Sequence, residues 1–298
     1  MTSSALPDRP AAQRVDLGSA VPLALMALAF VALFVRPATL LASDWWNDPE
    51  AGHGLLLAPA ALWLAWKQGL IQYRAPQPVL GMVILIAAVF FRLAAELAAE
   101  LFVMRGSMIV ALVGVTTFYL GFRQVLAWWL PFLLLGLAVP LPELIRSAIA
   151  LPLQYQASQL GAALLEWRHV PVQLAGNIIQ LPGHKLFVTE ACSGLRSLTA
   201  LLSIGVLMGG LWLRYPVMRV LLIALAIPIA VLINGVRVFL TGFLVFFVDP
   251  KLGEGFMHVT EGWLLFVVSL VLVGGVAWVL TALEALIRKP KAGHVTLD

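Results

Sequence analysis

The stretch that decides the fold is Val217–Phe247, VMRVLLIALAIPIAVLINGVRVFLTGFLVFF, which is apolar along almost its whole length. Its 31 residues form a longer helix than one straight crossing of a hydrocarbon core of about 30 Å needs, at about 1.5 Å per residue. Pro228 and the Asn234-Gly235 pair are the places where such a helix would bend or break. The run therefore predicts a membrane helix that bends or continues beyond the lipid.

The composition extends this conclusion to the whole chain. Hydrophobic residues make up 61% of the 298 residues, charged residues 11%, and the mean hydropathy is +0.97. So much apolar surface requires lipid as its solvent. The net charge of +4 comes from cations between the apolar runs, where orientation signals belong, so we predict no nucleic-acid partner. One cysteine excludes an intrachain disulfide and a multi-cysteine metal site.

The hydropathy pattern predicts an all-α, polytopic bundle of about eight transmembrane helices. The second and fourth spans are short, which leaves counts of six or seven open. The first apolar run is long and has no clear cleavage site, so we expect an uncleaved helix. The eight predicted spans are Leu17–Leu41, Gly54–Trp66, Val79–Leu97, Ser107–Leu120, Val125–Leu141, Leu195–Leu213, Val217–Phe247 and Val259–Ile287.

Charged residues between the spans predict the orientation. Cations cluster before the first span and after every second one, a pattern that marks the cytoplasmic side, whereas acidic residues occupy the alternate loops. We expect one integral membrane domain with both termini in the cytoplasm. Its segments are a tail (1–16), five spans (17–141), an extracytoplasmic connection (142–194), three spans (195–287) and a second tail (288–298).

The long extracytoplasmic connection has two predicted parts. Residues Glu143 to Trp167 mix apolar and polar side chains, which is typical of an amphipathic interfacial helix. Residues His169 to Glu190 alternate apolar and polar positions around Pro182-Gly183, as a small hairpin does. This hairpin would bring the chain back to the outer membrane face just before Cys192.

Three residues from separate segments are the candidate catalytic groups. Cys192 lies in E-A-C-S-G-L-R at the predicted start of a helix, where exposed N–H groups and nearby cations favour a thiolate; inert packing is the alternative. Arg237 lies about 20 residues into its apolar run, near the outer boundary of the lipid core. An arginine within a membrane helix is expected to be functional unless its side chain extends to the aqueous interface. His258 precedes the last span at the same level.

Five other residues have supporting interpretations. Arg196 would pair with Glu190 or other carboxylates, or tune the thiol. Asn234 would hydrogen-bond at a helix break. His53 would line a cavity shared with the three catalytic candidates or have a structural role at the membrane interface. Ser193 carries a hydroxyl next to Cys192.

His258 and Glu261 are too few to hold a metal, so we predict neither a metal site nor a cofactor.

Several segments resemble known motifs. The chain resembles the exosortase branch of the exosortase and archaeosortase family in three motifs: E-A-C-S-G-L-R-S-L (190–198), I-N-G-V-R-V (233–238) and G-F-M-H-V-T-E-G (255–262). Two further segments are similar to weaker family segments: N-I-I-Q-L-P (177–182) and G-H-G-L-L-L-A-P (52–59). The resemblance implies an inner-membrane cysteine transpeptidase with Cys192, Arg237 and His258 as its catalytic residues. It also implies clients with a PEP-CTERM sorting signal: a Pro-Glu-Pro motif, a transmembrane helix and a basic tail, in bacteria that make extracellular polysaccharide.

The implied reaction passes through a thioester on Cys192, with an amine, a hydroxyl of a glycan or lipid, or water as the acceptor. The expected partners are therefore the client's signal helix, membrane lipid and this acceptor. Three alternatives remain at this stage: a transporter for polysaccharide precursors with Arg237 and Arg196 in an anion path, a scaffold of a glycan assembly complex, and a serine protease using Ser193.

Overall fold

A computed structural model describes residues 17–188, 195–253 and 255–287. The fold is all-α apart from one small sheet. The helices are α1 (Leu17–Asn47), α2 (Gly54–Gln68), α3 (Pro78–Leu97), α4 (Leu101–Leu120), α5 (Phe122–Ala127), α6 (Trp129–Leu137), α7 (Glu143–Trp167), α8 (Leu195–Trp212), α9 (Pro216–Phe247) and α10 (Gly255–Ile287), with a 3₁₀ turn at Pro250–Gly253.

The predicted all-α, polytopic membrane class is confirmed, whereas the count of eight spans is not. Among the described residues, six helices are long and apolar enough to cross a membrane. They include Ala24–Asn47 of α1, all of α3, α4, α8 and α9, and Gly262–Ile287 of α10. The second predicted span is α2, with 15 residues, and the fifth is divided into α5 and α6.

Pro131 explains why the fifth predicted span is divided. A proline has no N–H to donate, and its ring collides with the carbonyl four residues earlier. That carbonyl belongs to Ala127, where α5 ends, and Trp128 leaves the helical conformation at φ −92° and ψ 25°. The Trp128 indole donates to the carbonyl of Gly69 at 3.1 Å, which fixes the break against the end of α2.

Helix α9 is continuous over Pro216–Phe247, so of the two predicted outcomes at Asn234-Gly235, a bend or a break, the break does not occur. The reason is the neighbouring helix α7. A Cβ on Gly235 would lie 2.3 Å from Leu160 Cδ2, and a Cβ on Gly161 would lie 2.5 Å from Val238 Cγ1. The glycine at 235 therefore permits close helix packing, and Asn234 is buried within an unbroken helix. At about 1.5 Å per residue, α9 is longer than the lipid core is thick.

The predicted helix over residues 143–167 is α7, with the expected bounds. Its buried face packs along the second half of α9. The segment after it contains three strands rather than the two of the predicted hairpin: β1 (Gln173–Ala175), β2 (Ile178–Leu181) and β3 (His184–Phe187), antiparallel in the order β1-β2-β3. Ile179 of β2 is fully buried against α7 and α9.

The helices form two groups that meet at α6 and α8. In the first group α3 and α4 pack as a tight hairpin, since a Cβ on Gly81 would lie 2.5 Å from the Phe118 Cα. In the second group α8, α9 and α10 pack on one another. Leu130 of α6 packs directly on Gly210 of α8 and joins the groups.

Candidate active site

A cavity of about 230 Å³ lies where the two helix groups meet. It is at the end of the bundle where α1 ends and α2 and α8 begin, which we call the distal end; the charge pattern predicts that this end faces outward. The cavity walls come from the α1–α2 loop, the start of α4, the end of α6 with the loop after it, the start of α7 and the first half of α8. Its charged and polar lining residues are Asp48, Glu50, His53, Arg146, Arg196, Thr199 and Ser203.

Arg146 connects α7 to the α1–α2 loop. Its guanidinium donates to Glu50 at 2.9 Å, lies 3.9 Å from Asp48, and also pairs with Glu143 one turn earlier on α7. Burial acts to lower the pKa of Arg146, but the surrounding carboxylate charges outweigh it and raise that pKa. The network compensates the charge of Arg146 within the protein and fixes the start of α7 beside the cavity.

His53 fastens another wall of the cavity. Its Nδ1 lies 3.1 Å from the Glu50 carbonyl oxygen and its Nε2 lies 3.1 Å from the Leu137 carbonyl oxygen. Both neighbours are acceptors, so a neutral ring donates to one of them and an imidazolium to both. Trp45 strengthens this connection between the α1–α2 region and α6, because its indole donates to the Ala138 carbonyl at 2.7 Å. His53 therefore lines the cavity and also ties the α1–α2 loop to α6.

Arg196 is the second cation of the cavity, and its surroundings differ from those of Arg146. It lies in the first turn of α8 and is exposed. Within 17–188, 195–253 and 255–287, its guanidinium forms no ion pair. The predicted partner Glu190 lies outside the described residues.

Arg237 lies beside the helix that carries His258. The half-buried Arg237 side chain packs on Gly262 of α10, where a Cβ would lie 3.1 Å from Nη2 and 3.3 Å from Cζ. Helix α10 begins at Gly255, so the His258 backbone is in its first turn and does not precede the last helix, as the predicted span Val259–Ile287 implied. Four residues, about one helical turn, separate His258 from Gly262.

Arg237 is also level with the start of α8. Gly209 of α8 packs on Arg219 and Leu222 of α9, and the two helices run antiparallel through the turn between them. Moving fourteen residues back along α8 leads to Leu195, and the same step forward along α9 leads to residues 233–236. Since both helices rise equally per residue, Arg237 stands within about one turn of the level of Leu195.

The predicted nucleophile Cys192, with Glu190 and Ser193, lies outside the described residues, which stop at Val188 and resume at Leu195. Chain length alone limits the distance of Cys192 from the cavity. Three residues span at most about 11 Å, and Leu195 is a lining residue.

A cluster that was not predicted from the sequence consists of Asp48, Glu50, Glu143 and Arg146. The available signal was the acidic loop after the first span together with an arginine near the start of an amphipathic helix. Ninety-six residues separate Glu50 from Arg146, so the sequence alone did not pair them.

The comparisons with known proteins give one match. Residues 45–275 match the family model of the transmembrane exosortase, and this range holds the cavity, Arg237 and Gly262. The comparisons with curated proteins and with solved structures give no match. The matched range covers more than three quarters of the chain, so the chain belongs to the transmembrane exosortase family, whose members are membrane transpeptidases that act on clients bearing a sorting signal.

Proposed function

We propose that this chain is a cysteine transpeptidase that cleaves PEP-CTERM-type sorting signals at the periplasmic face of a bacterial inner membrane. Cys192 is the nucleophile, Arg237 the oxyanion donor and His258 the acid and base. The observation that carries the proposal is the packing of the Arg237 guanidinium on Gly262, one helical turn from His258. Family membership supports the reaction class.

In the first half-reaction the Cys192 thiolate attacks the carbonyl carbon of the scissile peptide bond. The carbonyl becomes a tetrahedral oxyanion, the C–N bond then breaks, and His258 donates a proton to the departing amine. The product is a thioester between Cys192 and the client. Covalent catalysis of this kind divides one difficult acyl transfer into two easier steps.

In the second half-reaction His258 removes a proton from an acceptor amine, hydroxyl or water, which attacks the thioester carbonyl. The thiolate leaves and the client is attached to the acceptor or released by hydrolysis. One group thus serves as acid and then as base, as microscopic reversibility requires. A glycan or a lipid supplies the hydroxyl when transfer replaces hydrolysis.

Arg237 stabilises the oxyanion in both half-reactions. A fixed guanidinium at a partly dehydrated site stabilises developing charge without reorganising at the moment of reaction. Its packing on Gly262 limits how far the guanidinium can move toward α10. The client's own transmembrane helix docks against the bundle and presents the bond just outside the lipid to Cys192.

The nucleophile is tested with a reporter protein that ends in a sorting signal. We expect Cys192→Ala to insert normally into the membrane and to leave the reporter uncleaved. Mass spectrometry of the wild-type enzyme, quenched in acid during turnover, should detect a thioester on Cys192. Full cleavage by Cys192→Ala would refute the assignment. Ser193→Ala should keep its activity; an inactive Ser193→Ala, together with no detectable thioester on Cys192 in the wild type, would favour the serine protease.

A second experiment tests the orientation and the transporter alternative. A membrane-impermeant maleimide applied to intact cells should label Cys192, the single cysteine of the chain; labelling only after cell lysis would contradict a periplasmic site. Loss of polysaccharide export with normal reporter cleavage in an Arg237 variant would favour the transporter.

A further inference from the structure

The cavity at the distal end contains two arginines in contrasting electrostatic surroundings. Arg146 is surrounded by Asp48, Glu50 and Glu143, so its charge is compensated within the protein. Arg196 lines the same cavity, is exposed, and pairs with no carboxylate in the described part of the chain. The two acidic lining residues, Asp48 and Glu50, are both held by Arg146. The positive charge that the cavity offers to a ligand therefore belongs to Arg196.

The size and the remaining lining of the cavity indicate what kind of ligand fits. Its volume of about 230 Å³ is below the roughly 300–1,000 Å³ of pockets for drug-sized molecules. The space suits one or two side chains rather than a large cofactor. The other large side chains that line the cavity are apolar: Phe102, Leu137, Val139, Pro140, Leu141, Leu195 and Leu202. Such walls suit the apolar part of a short peptide, while the Arg196 guanidinium donates hydrogen bonds to a carboxylate.

The cavity is also close to the proposed nucleophile along the chain. Arg196 follows Cys192 by four residues, which limits the separation of their Cα atoms to about 14 Å. A peptide residue bound at Arg196 is thus within a few residues of a carbonyl that Cys192 attacks. Lys and Arg differ in this role, because the planar guanidinium donates two parallel hydrogen bonds to one carboxylate.

We propose that this cavity is a substrate subsite in which Arg196 binds an acidic side chain of the client peptide close to the scissile bond. The inference rests on the proposed function, since it assigns a specificity determinant to that same active site. Arg146, His53 and Trp45 hold the walls of the subsite through their contacts with Glu50, Leu137 and Ala138.

The test uses reporter proteins whose sorting signal carries its glutamate unchanged or replaced by glutamine or lysine. Initial cleavage rates are measured in membranes that contain equal amounts of each enzyme variant. The wild type should cleave the glutamate reporter about tenfold or more faster than the glutamine reporter, as expected for a charged hydrogen bond. Arg196→Gln should reduce this ratio to near one, and Arg196→Glu should prefer the lysine reporter.

Arg168→Gln is the matched control. Arg168 is an exposed arginine at the end of α7 that does not line the cavity, so this variant should keep the wild-type ratio. Glu190→Gln tests the competing role in which Arg196 pairs with Glu190. If that pair is what matters, Glu190→Gln and Arg196→Gln slow all three reporters equally, and the subsite is refuted.

Retention of the wild-type glutamate preference by Arg196→Gln would also overturn the inference. Where Arg196→Gln fails to accumulate in the membrane, Arg196→Lys decides: it keeps the charge and should still prefer glutamate over lysine, and loss of that preference refutes the subsite. Failure of the proposed function gives a different result, because the wild type then cleaves none of the reporters or Cys192→Ala cleaves them all.

Discussion

The guanidinium of Arg237 lies directly on the backbone of Gly262, so that an alanine Cβ at position 262 would stand 3.1 Å from Nη2. This distance is short for a carbon and a nitrogen that share no hydrogen bond. The absence of a side chain at residue 262 thus sets the position of the arginine. It also joins α9 to the helix whose first turn holds His258.

Gly262→Ala should lower the cleavage rate several-fold without destabilising the protein. The added methyl group displaces the guanidinium by a few tenths of an ångström, and misplacement of about 1 Å costs up to about 100-fold in catalysis. Alanine itself favours a helix over glycine by up to about 1 kcal/mol. The measurement is kcat on the reporter together with thermal unfolding in detergent.

Gly274→Ala is the control for this change. Gly274 is on the same helix, and a methyl group added to it would meet no atom within 4 Å, so kcat should stay at the wild-type value. Equal activity of Gly262→Ala and Gly274→Ala would show that the contact with Arg237 has no catalytic consequence.

Arg237→Lys should reduce kcat by about 10²-fold, in the range that loss of one oxyanion donor costs in other acyl-transfer enzymes. Lysine keeps the charge but lacks the planar fork of donors. Single-turnover cleavage of the reporter separates this chemical step from client binding. A variant that raises KM and keeps kcat would instead assign Arg237 to binding.

Arg146→Met should destabilise the protein by about 1 kcal/mol, because it leaves Asp48, Glu50 and Glu143 without their common cation in a partly exposed site. Thermal unfolding in detergent measures the loss. The double variant with Glu50→Gln should be less destabilised than the sum of the two single changes. Full additivity would mean that the 2.9 Å pair contributes nothing to stability.

Low pH should weaken the ion-pair network of Arg146 by protonating Glu143. The Ser147 hydroxyl, and after it Arg146, holds the pKa of the Glu143 carboxyl below its usual value of 4.5. A lowered folded-state pKa gives a contribution that is complete above pH 4.5 and is lost as the pH falls through the lowered pKa. Unfolding temperatures recorded from pH 6 down to about pH 3 should show this loss. Ser147→Ala should shift this loss of stability to higher pH. Glu143→Gln should remove the part of the dependence of unfolding temperature on pH that Glu143 causes, and an unchanged dependence in Glu143→Gln would contradict the role of Glu143.

Local hydropathy was sufficient to predict α3, α8 and α9 to within a few residues, because a chain in lipid satisfies its backbone groups within each helix. The split at Trp128 had a local signal in Pro131, which the hydropathy window averaged away. The role of Gly235 had no local signal, since a glycine beside an asparagine indicates a break as readily as a close contact. Only the position of Leu160 on α7 distinguishes the two.

In the candidate site, too, some features had a signal in the local sequence and others did not. The sequence motifs select Cys192, Arg237 and His258 because each combines a reactive group with an unusual position in an apolar chain. The cavity walls depend on pairs that are far apart in sequence, such as His53 with Leu137 and Arg146 with Glu50. Such pairs follow from how helices pack, and a single sequence contains no record of that packing.

Gly81→Ala should destabilise the protein by about 1–3 kcal/mol, in contrast to Gly262→Ala. Its Cβ would lie 2.5 Å from the Cα of Phe118, and a backbone atom cannot move aside as the end of a side chain does. Helices α3 and α4 would have to separate. Gly106→Ala in α4 is the control, since a methyl group there meets no atom within 4 Å, and helix propensity alone predicts a stability gain of up to about 1 kcal/mol. Unfolding temperatures of the two variants in the same detergent should therefore move in opposite directions, and a shift of equal sign would place the α3–α4 interface elsewhere.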